Sequence, residues 1–124
     1  MSESQHKPTV VIGASPNPER YSHIAVHRLH QEGHPVFAVG LRPGTIAGVR
    51  IHTDRPVPEL VDTVTLYVGP AHQEAWLDYI LSLHPKRVIF NPGTENTPVE
   101  MHLQAAGIQT ERACTLVLLS TSSY

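Results

Sequence analysis

Short apolar runs alternate with longer amphipathic segments along the chain. The runs are rich in β-branched residues and lack polar alternation, which is typical of strands buried on both faces of a parallel sheet. Four such runs are clear, at residues 9–13, 35–40, 64–68 and 88–90. The pattern therefore predicts an α/β fold, in which helices cover both faces of a mainly parallel sheet.

Helices are predicted in the segments between these strands. The first begins at Asn17-Pro18, a favourable N-cap and first-turn pair, or a few residues later, and it ends at Gly33. The second spans residues 71–84 and the third spans residues 98–106. With the four strands, they give the alternating order of a doubly wound sheet.

The pattern is weaker in three other segments. Residues 41–58 are rich in Gly and Pro, so we expect a long loop with one brief extended piece at residues 49–51. Residues 108–110 are predicted to be extended. Residues 115–119 form an apolar run whose secondary structure the pattern leaves open.

Composition narrows the class of protein. We interpret residues 1–124 as a single domain in which residues 1–7 form a polar leader. The charged residues are scattered and the net charge is −2, which argues against a nucleic acid or a membrane as partner. No apolar run has the length of a membrane span or of a signal peptide core, so we expect a cytoplasmic protein.

The histidines and the single cysteine offer little chemistry. His23, His27, His30 and His34 are spaced 4, 3 and 4 residues apart and would share one helix face if the helix reached His34. We expect a solvent-facing or interface edge there rather than a metal site, because no carboxylate or thiol joins the stripe. We interpret two further residues as structural: His72, as a helix cap or surface residue, and Cys114, as a buried free thiol.

Ligands of a doubly wound sheet bind outside the carboxyl ends of its strands. The loops there are residues 13–20, 40–44, 69–72 and 91–95, which are rich in Gly, Pro, Ser, Asn and Thr. This composition favours a site built from backbone groups. The chain has no nucleophile elbow, P-loop or zinc-protease motif, so we expect a binding protein rather than an enzyme.

The first loop only partly fits the dinucleotide fingerprint. Gly13 matches its first glycine, but Ser15 and Pro18 replace the second and third. This turn can present amides and a hydroxyl to a phosphate, or it can be an ordinary strand-to-helix turn. After the second strand there is no carboxylate for a ribose hydroxyl, but there is Arg42, which suits a ribose phosphate or simply lies in solvent. NADP and coenzyme A both remain open.

Three stretches of the chain carry a family resemblance. They are Gly13-Ala14-Ser15-Pro16-Asn17-Pro18-Glu19-Arg20, Glu32-Gly33-His34-Pro35-Val36 and Asn91-Pro92-Gly93-Thr94-Glu95. Together they resemble the stand-alone CoA-binding domain family, which is similar to the N-terminal Rossmann-like domain of the succinyl-CoA synthetase α subunit. The resemblance covers about residues 8–120. It implies a Rossmann-like three-layer α/β/α sandwich with strand order 3-2-1-4-5 and binding of coenzyme A or an acyl-CoA.

The resemblance also implies site residues. The pyrophosphate would lie on four residues of the first loop, Gly13, Ala14, Ser15 and Asn17. Arg20 would brace this loop, and Arg42 would stand near the nucleotide phosphate. The adenine and pantetheine would lie beside the residues of two other loops, Gly69, Pro70, Asn91, Pro92 and Gly93.

The chain also departs from the family pattern. Gly69 stands where many relatives have an arginine, and Val39-Gly40-Leu41 replaces a more usual Val-Asn-Pro. The phosphohistidine domain that the ligase reaction needs is not part of this chain, so the resemblance supports binding, as a sensor, carrier or regulator. The alternatives are a small NADP- or nucleotide-dependent enzyme that uses the same cleft, and a scaffold that acts through protein contacts. The sequence does not identify a protein partner.

Overall fold

The computed structural model describes residues 6–124, which form one seven-stranded sheet and its covering helices. The strands are β1 (Thr9–Ile12), β2 (Val36–Val39), β3 (Gly44–Ile46), β4 (Val49–His52), β5 (Thr63–Leu66), β6 (Arg87–Phe90) and β7 (Gln109–Arg112). The helices are α1 (Tyr21–Gln31), α2 (Glu74–Leu83), α3 (Thr97–Ala105) and α4 (Thr115–Ser120), with a 3-10 turn at Pro70–His72.

The sheet has the order β3-β4-β2-β1-β5-β6-β7, and every neighbouring pair is parallel except β3 and β4. The predicted Rossmann-like α/β sandwich is therefore confirmed. The parallel strands, numbered along the chain, follow the predicted order 3-2-1-4-5 with β7 added as a sixth. The antiparallel strand β3 is the second strand beyond the predicted five, and it lies at the edge of the sheet opposite β7.

The extended piece predicted at residues 49–51 is confirmed as β4, but the interpretation of the rest of residues 41–58 as a loop is wrong at residues 44–46, which form β3. This segment forms a hairpin of β3 and β4, and β4 continues the sheet beside β2. The hairpin turn is Ala47-Gly48, and both residues have positive φ, at 52° and 82°. Such a two-residue turn matches the twist of the strands, but alanine is an uncommon first residue, so the turn is hard to detect in the sequence.

The first helix begins at Tyr21 rather than at Asn17-Pro18. Arg20 is the N-cap, in an extended conformation. Asn17 instead closes a tight turn, in which its Oδ1 accepts a hydrogen bond from the Glu19 N–H and its carbonyl accepts one from the Arg20 N–H. The residues ahead of the helix are therefore a separate loop.

Each face of the sheet has its own core. Trp76 of α2 and Leu103 of α3 pack on one face. Val26 of α1 and Leu119 of α4 pack on the other, so the apolar run at residues 115–119 is a helix that covers the sheet. Within residues 6–124, no helix is long and apolar enough to cross a membrane. The cytoplasmic location stays a prediction.

The chain connects β1 to β2 on one side, through α1, and later enters β5 on the other side of β1. The strand order therefore reverses at β1. In open α/β sheets, the crevice at the carboxyl end of such a reversal is the usual ligand site.

Candidate functional site

A cleft of about 1030 Å³ opens at this reversal, at the carboxyl ends of β1, β2 and β5. Its volume is at the upper end of the range of small-molecule sites, about 300–1,000 Å³. It is lined by residues of the β1–α1 loop, the ends of β2 and β5, the segment after β4 and the start of α2: Gly13, Ala14, Ser15, Pro16, Asn17, Glu19, Arg20, Tyr21, Ser22, Leu41, Arg42, Arg55, Tyr67, Val68, Ala71, His72, Ala75 and Trp76.

The structure brings about half of the predicted site residues to this cleft. The ones in its lining are Gly13, Ala14, Ser15, Asn17, Arg20 and Arg42. The ones outside the lining are Gly69, Pro70, Asn91, Pro92 and Gly93. The cleft therefore includes the first loop and the end of β2 but not the Asn91-Pro92-Gly93 turn.

Asn91 is buried and serves the fold. Its Nδ2 donates hydrogen bonds to Thr65 Oγ1 (2.8 Å) and to the Leu66 carbonyl (2.9 Å). Its Oδ1 accepts one from the Thr115 N–H at 2.9 Å, and the Thr65 and Thr115 hydroxyls are hydrogen-bonded to each other. The side chain thus ties the ends of β5 and β6 to the start of α4.

The β1–α1 loop is fixed to the end of β2. The N–H groups of Gly13 and Ala14 both donate to the Val39 carbonyl, at 2.9 and 3.0 Å. Gly40 has no side chain, and a Cβ there would overlap the Ala14 carbonyl oxygen. The departure from the family pattern at Gly40 therefore allows the loop to approach β2 closely.

The N–H groups of Gly13 and Ala14 are thus already hydrogen-bonded within the fold, whereas other groups that line the cleft have unused hydrogen-bonding capacity. Ser15 Oγ accepts a hydrogen bond from the Asn17 N–H at 3.1 Å, so its O–H can donate to a ligand. Tyr21 and Ser22, whose first-turn N–H groups have no carbonyl one turn earlier in α1, also line the cleft. Such groups are suited to a phosphate.

His23 braces the loop from α1, a role that the resemblance implied for Arg20. The ring Nδ1 of His23 donates to the Ser15 carbonyl at 3.0 Å. Within the described residues, the Arg20 guanidinium makes no hydrogen bond or ion pair, and its side chain is exposed. Arg20 is therefore available to a ligand.

The charge of the cleft is positive. Three arginines, Arg20, Arg42 and Arg55, line it, whereas Glu19 is the one carboxylate in the lining. Sequence reasoning missed Arg55, because it follows β4 in the segment that was interpreted as a loop. A concave site with an excess of positive charge attracts anionic ligands.

Tyr67 lines the cleft, but with atoms other than its hydroxyl. Its hydroxyl is buried and has no hydrogen-bond partner among the described residues. Burial raises the pKa of Tyr67, so the phenol stays protonated at neutral pH.

The histidines and the cysteine that the sequence analysis considered lie in different parts of the structure. His72 lines the cleft, at the end of the 3-10 turn. Cys114 is half-buried, not buried as expected, and lies outside the lining. The histidine stripe does not extend to His34, because α1 ends at Gln31 and His34 is buried. Among residues 6–124, no three His, Cys, Asp or Glu side chains form a group that could hold a metal ion.

Solved structures share the whole fold. The chain is 48% identical to an uncharacterized protein whose crystal structure superposes with a TM-score of 0.93, and the match covers 96% of this chain and 98% of that one. It is 25% identical to a protein from Thermus thermophilus, with a TM-score of 0.85 and coverage of 98% and 92%.

A larger protein contains a similar fold. The dinucleotide forming acetyl-coenzyme A synthetase 1 of Ca. Korarchaeum cryptofilum is 16% identical, with a TM-score of 0.68 over 86% of this chain and 26% of that chain. At that identity, the likeness shows the fold alone. No curated protein matches the chain. The family model described as CoA binding domain matches residues 7–120, and the chain therefore belongs to the CoA binding domain family.

Proposed function

We propose that this protein binds coenzyme A or an acyl-CoA in the cleft at the carboxyl ends of β1, β2 and β5. The proposal extends the coarser statement of the family, CoA binding, to a place on this chain. The observation that carries it is the cleft itself, which is large, lies at the strand reversal and has three arginines against one carboxylate. Coenzyme A, with its pyrophosphate and 3′-phosphate, is an anionic ligand of this kind.

The pyrophosphate would bind where the loop meets α1. Ser15 offers a hydroxyl hydrogen, the first turn of α1 offers amides, and Arg20 offers a guanidinium that is not neutralised within the described residues. Arg42, at the end of β2, would bind the 3′-phosphate. Charge-assisted hydrogen bonds from arginine to phosphate are among the stronger polar contacts in proteins.

We propose a role in binding, as a sensor, carrier or regulator. Among the residues that line the cleft, the one carboxylate is Glu19 and the one imidazole is His72. They lie on different loops and share no hydrogen bond within the described chain. The geometry thus supports ligand recognition more than acid–base chemistry.

Calorimetry with coenzyme A, 3′-dephospho-coenzyme A, NAD and NADP tests the proposal. We expect coenzyme A to bind most tightly, and removal of its 3′-phosphate to weaken binding about tenfold, as for loss of one charge-assisted contact. In Arg42→Gln the difference in affinity between the two coenzyme A forms should decrease. The matched control is Arg50→Gln, which removes the same charge from an exposed position of β4 outside the cleft.

Two results would contradict parts of the proposal. Equal affinity of the wild-type protein for coenzyme A and its dephospho form would remove Arg42 from the site. Tighter binding of NADP than of coenzyme A would replace the proposal with the small nucleotide-dependent enzyme.

A further inference from the structure

We infer that Arg55 is a third phosphate-binding arginine of the cleft, beside Arg20 and Arg42, and that Trp76 and the Ala75 carbonyl hold it in place for an anionic ligand. The inference rests on the proposed function, because it names a further contact of the same ligand. The family resemblance gave no role to Arg55 or to the segment that carries it.

The backbone brings Arg55 to the cleft at a conformational cost. Arg55 follows β4 and has a φ of +52°, in the left-handed region that non-glycine residues rarely adopt. Its Nη1 donates a hydrogen bond of 2.7 Å to the carbonyl of Ala75, which lies 20 residues along the chain, in α2. A strained backbone that delivers a cation to a cleft wall is typical of a functional site.

Trp76 is a rigid platform for this cation. The indole is 4% exposed and belongs to the core between the sheet and the helices. The Arg55 guanidinium carbon lies 3.7 Å from the centroid of the ring, which is close cation–π stacking. One face of the guanidinium is therefore covered and its plane is fixed, while the side chain still lines the cleft.

Within residues 6–124, no carboxylate neutralises the charge of Arg55. Among the described residues, Arg55 forms no ion pair. The carboxylate of its neighbour Asp54 lies 3.9 Å from His52 Nδ1 instead. Apart from the bond to Ala75, the guanidinium N–H groups have no acceptor within residues 6–124. A planar cation that is fixed beforehand and still has unused donors loses little entropy when it binds a phosphate.

The two phosphate-bearing parts of coenzyme A offer the same chemistry to Arg55. We expect Arg55→Gln to weaken coenzyme A binding about tenfold in calorimetry. If the partner is the 3′-phosphate, the variant should bind 3′-dephospho-coenzyme A as the wild type does. If it is the pyrophosphate, both ligands should weaken by the same factor. Arg50→Gln, which removes an exposed arginine outside the cleft, should change neither affinity.

Salt dependence separates this role from a merely structural one. If Arg55 contacts a phosphate, the affinity of Arg55→Gln should fall less steeply with added sodium chloride than that of the wild type, because one charged contact has been lost. If Arg55 only holds α2 in place, the variant should lose the same factor at every salt concentration. That second result would overturn the inference, as would coenzyme A affinity within twofold of the wild type.

A fluorescence titration with inorganic pyrophosphate tests Arg55 as an anion site even if the protein does not bind coenzyme A. Trp76 is the single tryptophan of the chain and stacks on Arg55, so its fluorescence reports on the part of the cleft around Arg55. If the wild type binds no coenzyme A, the proposed function fails. Arg55 then stands as an anion site if pyrophosphate changes Trp76 fluorescence in the wild type and not in a folded Arg55→Lys or Arg55→Gln protein. If pyrophosphate has no effect on the wild type either, both fail.

Discussion

At the scale of single residues, a comparison of Gly13 and Gly93 distinguishes two costs of replacing a glycine, namely backbone strain and steric overlap. Their φ angles are nearly equal, at +92° and +93°. A Cβ added to Gly13 would lie 2.7 Å from the Tyr67 carbonyl oxygen, whereas at Gly93 nothing lies within 4 Å. Backbone strain therefore applies at both positions, but steric overlap applies only at Gly13.

We expect Gly93→Ala to lower the free energy of unfolding by about 1–2 kcal/mol, the cost of a left-handed alanine. Gly13→Ala should cost about 3 kcal/mol or more, because the ends of β1 and β5 must also move apart. Urea denaturation measures both. Equal costs would show that the close approach to Tyr67 does not matter. Because the fold needs Gly13, a loss of ligand binding in a Gly13 variant says little about the phosphate site.

Asn91 and Asn17 provide the second contrast between single residues. Both belong to the predicted site, but Asn91 is buried in a hydrogen-bond network whereas Asn17 is exposed at the cleft. Asn91→Ala leaves the buried Thr115 N–H without its acceptor, and an unsatisfied buried group costs about 1–3 kcal/mol. We therefore expect a clearly lower melting temperature for Asn91→Ala and a nearly unchanged one for Asn17→Ala. The reverse ranking would return Asn91 to the list of candidate ligand residues.

At the scale of elements, the central strands could be predicted, whereas β4 and β7 were predicted only as brief extended pieces and β3 was not predicted. Strands β1, β2, β5 and β6 are largely buried and their residues are mostly apolar, so the pattern identifies them. The edge strand β7 is Gln-Thr-Glu-Arg and has no apolar residue. It is extended because its backbone pairs with β6, which is a tertiary contact that no local pattern records.

The residues of the candidate site also differ in whether a local sequence pattern could predict them. The β1–α1 loop could be predicted, because Gly, Ser and Asn after a buried strand have a local meaning. Arg55 could not, because its place depends on the β3–β4 hairpin and on Trp76, which follows it by 21 residues. For Asn91, the local pattern and the structure differ. Its Asn-Pro-Gly context resembles a ligand loop, whereas its side-chain amide is hydrogen-bonded to Thr65, Leu66 and Thr115, which are contacts between elements that the sequence does not record.

At the scale of the whole molecule, the candidate site and the contacts of Tyr124 lie at opposite ends of the sheet. The carboxyl end holds the cleft, whereas the amino end is where Tyr124 packs. The Tyr124 hydroxyl is hydrogen-bonded to Thr9 Oγ1 at 2.6 Å, and its backbone oxygen accepts from Lys7 Nζ and Arg87 Nη2. This cluster connects the segment after α4 to β1 and β6, and it lies away from the candidate site.

His34 makes the Tyr124 cluster sensitive to pH. Its Nδ1 accepts a hydrogen bond from the Lys7 N–H at 3.0 Å, so the ring must be neutral at that nitrogen. Its ring packs edge-on against Tyr124, with centroids 4.9 Å apart. Burial lowers the pKa of His34 below its usual value of 6.5, and His6, Lys7 and Arg87 act in the same direction, while Glu32 opposes them.

A lowered pKa in the folded state fixes the direction of the pH effect. As pH falls below about 6.5, His34 of the unfolded chain takes up a proton before the folded protein does, so the folded state loses stability. The contribution is complete above pH 6.5 and decreases from there down to the folded pKa. Its slope is at most about 1.4 kcal/mol per pH unit, the value for one proton.

His34→Asn isolates this contribution, because asparagine keeps an acceptor for the Lys7 N–H but does not titrate. We expect the wild-type free energy of unfolding, minus that of the variant, to decrease steadily as pH falls from 7 to 5 in chemical denaturation. His27→Asn is the matched control, since His27 is exposed on α1, and it should follow the wild-type pH profile. Parallel profiles for the wild type and His34→Asn would mean that His34 is not the group through which the Tyr124 cluster responds to acid. The ligand cleft should be little affected in either variant, because the cluster packs at the other end of the sheet.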